Sequence, residues 1–112
     1  MRPLRSVGLA ALLLAGCADY DSADVTLLHG SRTLRVGGAS TIKVVPRGRT
    51  SYAGTDPVDV RADTPTIAGI KQTILSDTWT ILGQSPGVAT FKVYVNDELI
   101  DTFSFEVAAP SS

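Results

Sequence analysis

Few side chains in this sequence could do chemistry, and their spacing limits what that chemistry could be. The one histidine, His29, stands in "HGS" (29–31), next but one to Ser31. A serine hydrolase needs its nucleophile on a sharp strand-to-helix turn, with the imidazole and an acid in line behind it. No such turn and no helical pattern surround "HGS", so His29 is expected to face solvent in a turn. Asp59 and Asp63 fall on one wet face of an extended segment, roughly 13 Å apart along the chain, wider than the carboxylate pairs that cleave glycosidic bonds. Asp19, Asp21 and Asp24 lack the glycine and closing glutamate of a Ca²⁺ loop. "VGGAS" (36–40) follows an apolar stretch but has neither the lysine nor the helix of a phosphate loop. One histidine and one cysteine cannot make a zinc donor set. The inventory predicts no catalytic residues, no metal and no cofactor: a protein that is not an enzyme.

The cysteine is the exception. Cys17 ends the apolar run "LLLAGC" (12–17), and "ADYDSAD" follows at once. Upstream, Arg2 and Arg5 give a positive start, Val7 to Ala15 is almost unbroken apolar chain, and Ala15-Gly16 supplies small residues. That is the pattern of a secretory signal peptide over residues 1–16, too short to span a bilayer. "LAGC" resembles the lipobox of bacterial lipoproteins. The resemblance implies cleavage between Gly16 and Cys17, a diacylglycerol on the Cys17 sulfur and an acylated new N-terminus. A thiolate is the nucleophile such lipid transfer needs, and two or more acyl chains anchor a protein stably where one does not.

Cleavage after Gly16 would leave 96 residues, one small domain. It would also take Arg2 and Arg5 away, moving the formal net charge from −1 to about −3. An acidic chain argues against a nucleic-acid partner. With Cys17 lipidated no disulfide can form, so the domain must rely on its apolar core. Residues 17–24, small and acidic, read as a lipidated cysteine and flexible tether, 25–108 as the folded domain and 109–112 as a tail.

What would position any of these residues is a set of short strands. "VTLL" (25–28), "TLRV" (33–36), "STIKVV" (40–45), "VDVRA" (58–62), "TWTIL" (78–82), "VATFKVYV" (88–95) and "TFSFEV" (102–107) each read as strand, most alternating apolar with polar. Ile42 and Val44 share a face, as do Val58, Val60 and Ala62, Trp79 and Ile81, Ala89, Phe91, Val93 and Val95, and Phe103, Phe105 and Val107. Asn96-Asp97 suits a tight turn between the last two strands, and Pro86-Gly87 suits a type II turn. About seven strands with one apolar face each predict an all-β antiparallel sandwich of two facing sheets.

Three segments carry a closer resemblance. "LRVGGASTIKVVP" (34–46), "DVRADTPTIAGI" (59–70) and above all "WTILGQSPGVATFKVYV" (79–95) resemble bacterial immunoglobulin-like domains of group 2. The resemblance spans about residues 25–108 and implies an immunoglobulin-like β-sandwich. It also implies that Gly83 lets the chain leave its strand by a tight or bulged path. Two features depart from the family pattern. The family's core tryptophan sits where this chain has Val60, while Trp79 lies in a different strand, open to the core or to the surface. "KQTILSDTWT" (71–80) is also longer than the usual connection there.

One loop is a candidate contact site. "RGRTSYAGTD" (47–56) joins the strands at 40–45 and 58–62 and carries Arg47, Arg49 and Tyr52, residue types favoured at interfaces. The expected function is a lipid-anchored cell-envelope module that binds protein, mediates adhesion or builds structure. Its expected partners are the membrane, through Cys17, and an envelope or cell-surface protein. The lipoprotein resemblance, with Ala18 rather than Asp after the cysteine, implies the outer membrane in a two-membrane host. The alternative is glycan binding, which would use Tyr52 and Tyr94 as exposed aromatic platforms.

Overall fold

The computed structural model describes residues 19–49, 52, 54 and 56–110. The leader and the lipid-attachment residue Cys17 lie outside the described residues. Among the described residues eight strands follow in order: β1 (Tyr20–His29), β2 (Thr33–Arg35), β3 (Ala39–Gly48), β4 (Val58–Ala62), β5 (Ala68–Gln72), β6 (Thr78–Gly83), β7 (Gly87–Val95) and β8 (Glu98–Ala108). They make two four-stranded sheets, β1-β3-β6-β5 and β2-β8-β7-β4. Every pairing is antiparallel except β2 with β8. This is the immunoglobulin order, A-B-E-D over C-F-G, with the first strand divided so that its second part joins the opposite sheet. The chain is an all-β immunoglobulin-like sandwich.

Alternation builds the core. β3 buries Ser40, Ile42, Val44 and Pro46, and β7 buries Ala89, Phe91, Val93 and Val95. β8 adds Phe105 and Val107, with Phe103 half-buried. The Phe91 ring stacks on Phe103 at 5.2 Å and meets Phe105 edge-on at 6.3 Å. Val60 is buried, while Val58 and Ala62 pack partly covered against the same cluster. Trp79 is 2 % exposed. It sits on β6, in the sheet facing the one that holds Val60, and so fills the core from the other side.

Pro46 shows how backbone geometry admits an awkward residue. The Val44 N–H donates to the Asp77 carbonyl at 3.0 Å, on the β6 side of β3. Two residues on, the Pro46 nitrogen points the same way, but the β3–β6 ladder has ended at Lys43–Thr78. The donor that proline lacks would have had no strand partner there.

Three expectations need correction. The segment 20–24 is not a tether: it is the first half of β1, paired with β3 from Tyr20–Gly48 onward. Tyr20 is buried, and the Ala23 N–H donates to Asp101 Oδ2 at 2.7 Å, tying this edge strand to β8. β5 is a strand that the alternation test passed over. Pro86-Gly87 does not form a type II turn: Gly87 has φ +145° rather than the ~+80° that turn requires. The Ile67 carbonyl holds this bend instead, accepting from the Gln84 and Ser85 N–H groups at 2.8 and 3.1 Å.

Gly83 acts through close approach rather than a bulge. Its N–H donates to the Gly38 carbonyl and its carbonyl accepts from the Gly37 N–H, both at 2.9 Å. A Cβ there would lie 2.8 Å from the Arg35 carbonyl oxygen. Opposite Gly83, Gly37 turns with φ +86° and the Gly38 N–H closes on the Arg35 carbonyl at 2.8 Å, as a type II turn does.

The register also defines the ends of the sandwich. Tyr20 and Gly48 mark one end. The β5–β6 connection (73–77), the loop that follows β3 and the Asn96-Asp97 turn lie at this same end. His29, Leu82 and Val88 lie toward the other. Asn96 and Asp97, at φ +52° and +65°, make the tight turn the sequence predicts.

Candidate functional site

The three candidate residues of 47–56 fall into different surroundings. Arg47 is not on a loop. It lies within β3, and its Nε donates to Asp24 Oδ2 at 2.6 Å across the β1–β3 ladder. Arg49 follows the strand, and its backbone N–H donates to the Asp19 carbonyl at 2.8 Å. Thr50, Ser51, Ala53 and Thr55 lie outside the described residues. Tyr52 turns inward and is half-buried, its hydroxyl donating to the Asp56 carbonyl at 2.9 Å.

Tyr52 has a neighbour that its position in the chain does not suggest. The Tyr20 ring meets it edge-on at 6.0 Å, and the Tyr20 hydroxyl donates to Asp56 Oδ2 at 2.8 Å. Two aromatic rings from β1 and the β3–β4 loop thus close around one aspartate. Burial, and then the carboxylates of Asp56 and Asp77, push the Tyr52 phenol above its ordinary pKa. Asp77, at the base of the β5–β6 connection, acts on Tyr52 only through its charge and pairs with Lys43 at 3.7 Å. The Tyr52 hydroxyl is engaged by a backbone carbonyl and the Tyr20 hydroxyl by a carboxylate. The arrangement locks a loop onto the entering strand.

The other candidates are dispersed. His29 is exposed at the end of β1, beside the bulge that breaks the β1–β3 register. Asp59 accepts from Arg61 Nε at 2.6 Å, and this hydrogen bond is the first cause that raises the Arg61 pKa. Asp63 pairs with Lys92 at 3.4 Å. Both carboxylates are therefore neutralised by basic neighbours. The Arg61 guanidinium lies 4.1 Å over the Tyr94 ring. Arg61 covers one face of Tyr94 and Tyr20 crowds Tyr52, so neither ring is the open platform that the glycan alternative needs. Among the described residues, no three histidine, cysteine or acidic side chains gather where a metal could bind.

Two surface features escaped the sequence reading because β5 did. One is a shallow depression of about 440 Å³ lined by Gly69, Ile70, Lys71, Thr80, Leu82 and Gln84. The other is the tip of the β5–β6 hairpin, where Ile74 is fully exposed and Leu75 58 % exposed. The unusual length of 71–80 was the available signal.

No family model matches the chain, and no curated protein matches it in sequence. Solved structures do share its fold. The surface layer protein SbsC, domains 1–6, superposes with a TM-score of 0.61 at 17 % identity over 80 % of this chain. Domains 4 and 5 of the same S-layer protein give 0.55 at 16 % identity over 79 %. The chain spans 13 % and 51 % of those structures' lengths.

Proposed function

We propose that this protein is a lipid-anchored module of the bacterial cell envelope that binds protein or builds structure and carries out no catalysis. The observation that carries the reading is the position of Cys17: it closes "LAGC" three residues before β1 begins at Tyr20. A lipidated cysteine there would seat the sandwich directly on the membrane, in the outer membrane of a two-membrane host. The described polar side chains support the non-catalytic part: Asp24, Asp59, Asp63 and Asp56 are engaged by Arg47, Arg61, Lys92 and Tyr20. The two structures compared above are both of a surface layer protein, which fits a role in surface architecture.

The test is fractionation of Cys17→Ala against the unaltered chain. The variant is expected to accumulate unprocessed or to leave the membrane fraction. A variant of normal mature mass that still sediments with membranes would overturn the anchor. For the binding role, pull-down from envelope extract with the 18–112 chain is expected to recover a protein that Arg49→Ala loses.

A further inference from the structure

The tip of the β5–β6 hairpin combines a turn held by local hydrogen bonds with outward apolar side chains. The Thr73 N–H donates to the Thr78 carbonyl at 3.0 Å, and the Thr78 N–H reaches the Leu75 carbonyl at 3.4 Å. Thr73 Oγ1 accepts from the Leu75 N–H at 3.1 Å and also meets the Thr78 hydroxyl. Gln72 Nε2 donates to the Ser76 carbonyl at 2.8 Å. Thr73, Leu75, Ser76 and Thr78 thus hold the turn through local hydrogen bonds. Meanwhile Ile74 is fully exposed and Leu75 largely so. At the base, Asp77 pairs with Lys43, so the tip 73–76 itself carries no charge. Isolated exposed apolar residues are ordinary on a protein surface. An adjacent pair on an uncharged, locally hydrogen-bonded tip is suited to the interfacial region of a bilayer, where the remaining backbone groups still meet water.

The position of the tip identifies that phase. It lies at the end of the sandwich where the chain enters, the end marked by Tyr20 and Gly48. Between Cys17 and Tyr20 stand only Ala18 and Asp19. Three residue steps span at most about 11 Å, so an acylated Cys17 would hold this end close to the bilayer. The tip sits across the sheet from β1, three strands away in the order β1-β3-β6-β5. A second contact there would fix the tilt of the domain, which a single flexible attachment would leave free.

We infer that Ile74 and Leu75 form a second membrane contact, inserting into the interfacial region of the bilayer beside the lipidated Cys17. This rests on the anchored reading above. The experiment uses the full lipidated chain carrying Ile74→Cys. The Cys17 sulfur is then a thioether, and position 74 is the one reactive thiol. Because Ile74 is fully exposed, the substitution leaves the core intact. The thiol takes an environment-sensitive fluorophore, and the protein is placed in phosphatidylethanolamine–phosphatidylglycerol vesicles with or without doxyl-labelled lipid. Leu28→Cys, exposed toward the opposite end, is the control. The mass of the N-terminal peptide is read on the same sample.

The expected result is a blue shift and lipid-dependent quenching at position 74, with neither at 28. If the mass shows lipid but position 74 is unquenched, the inference fails and the anchor stands. Equal quenching at 74 and 28 overturns it too, because no end is then preferred. Shielding of position 74 that depends on protein concentration and not on lipid would assign the tip to a second copy, again overturning it. An unmodified Cys17 removes the anchor and the inference together.

Discussion

The hydroxyl of Ser40 holds both backbone groups of Ser31. It accepts from the Ser31 N–H at 2.9 Å and donates to the Ser31 carbonyl at 2.7 Å. Ser31 lies where the chain leaves β1 in one sheet and crosses to β2 in the other. Neither ladder can serve the backbone at such a crossing, so a side chain replaces it. Ser40 is 1 % exposed and projects from an inward position of β3 that would otherwise hold an apolar residue. Ser40→Ala leaves both Ser31 groups without this partner. The expected cost is about 1–3 kcal/mol, read as a lower urea midpoint with an unchanged slope. An unchanged midpoint would mean that water replaces the hydroxyl at no cost.

Gly83 sets the distance between the two sheets at the same end of the molecule. A Cβ would press on the Arg35 carbonyl oxygen at 2.8 Å and on Val107 Cγ1 at 3.1 Å. The first of these is backbone in a turn closed by its own hydrogen bond, and it cannot swing aside as a side-chain tip can. Gly83→Ala is therefore expected to destabilise by about 1–3 kcal/mol, which lowers the melting temperature by several degrees in a domain this size. A rise in melting temperature would show that the entropy lost from the unfolded chain outweighs the clash.

The sandwich itself was legible because its inner strands alternate cleanly: β3, β7 and β8 announce their buried faces residue by residue. The edges were not. β1 begins "YDSAD", polar because only one neighbouring strand covers it and because Asp24 serves Arg47 across the ladder. Read alone, that composition cannot be told from a solvated tether. β5, "AGIKQ", offers Ala68 and Ile70 to the core but has glycine between them, too weak a pattern over five residues. Trp79 could be placed only once its sheet was known. The Tyr20–Tyr52–Asp56 cluster joins residues 36 apart in sequence, and no local spacing signals such a contact. Pro86-Gly87 misled because the Ile67 carbonyl, another long-range partner, decides the bend.

Phe91 is the centre of the core, touching Phe103 and Phe105 on β8 while fully buried on β7. Phe91→Ala removes both ring contacts and leaves a cavity. A cost of about 3–5 kcal/mol is expected, much of the total stability of a small domain. The variant should show a sharply lowered thermal midpoint by circular dichroism, whereas Phe103→Leu, on the half-buried ring, should lose far less. Equal losses would show that the aromatic cluster shares its load evenly.

Tyr52 supplies a pH test of the loop. Its phenol is raised above the ordinary value near 10, first by burial and then by Asp56 and Asp77. For a group raised on folding, the stabilisation is complete below the unfolded pKa and is lost as pH rises through the folded one. At neutral pH the loop is therefore at full strength, and alkali should release it. Absorbance titration of the phenols is expected to show a tyrosine ionising above the range of the free side chain, absent in Tyr52→Phe. Asp56→Asn should move that ionisation down, because it removes a neighbouring negative charge, and should weaken the acceptor of the Tyr20 hydroxyl. If Tyr52 instead ionises with the unfolded chain's value, the loop does not close on Tyr20 in solution. Tyr52 would then be open to a partner.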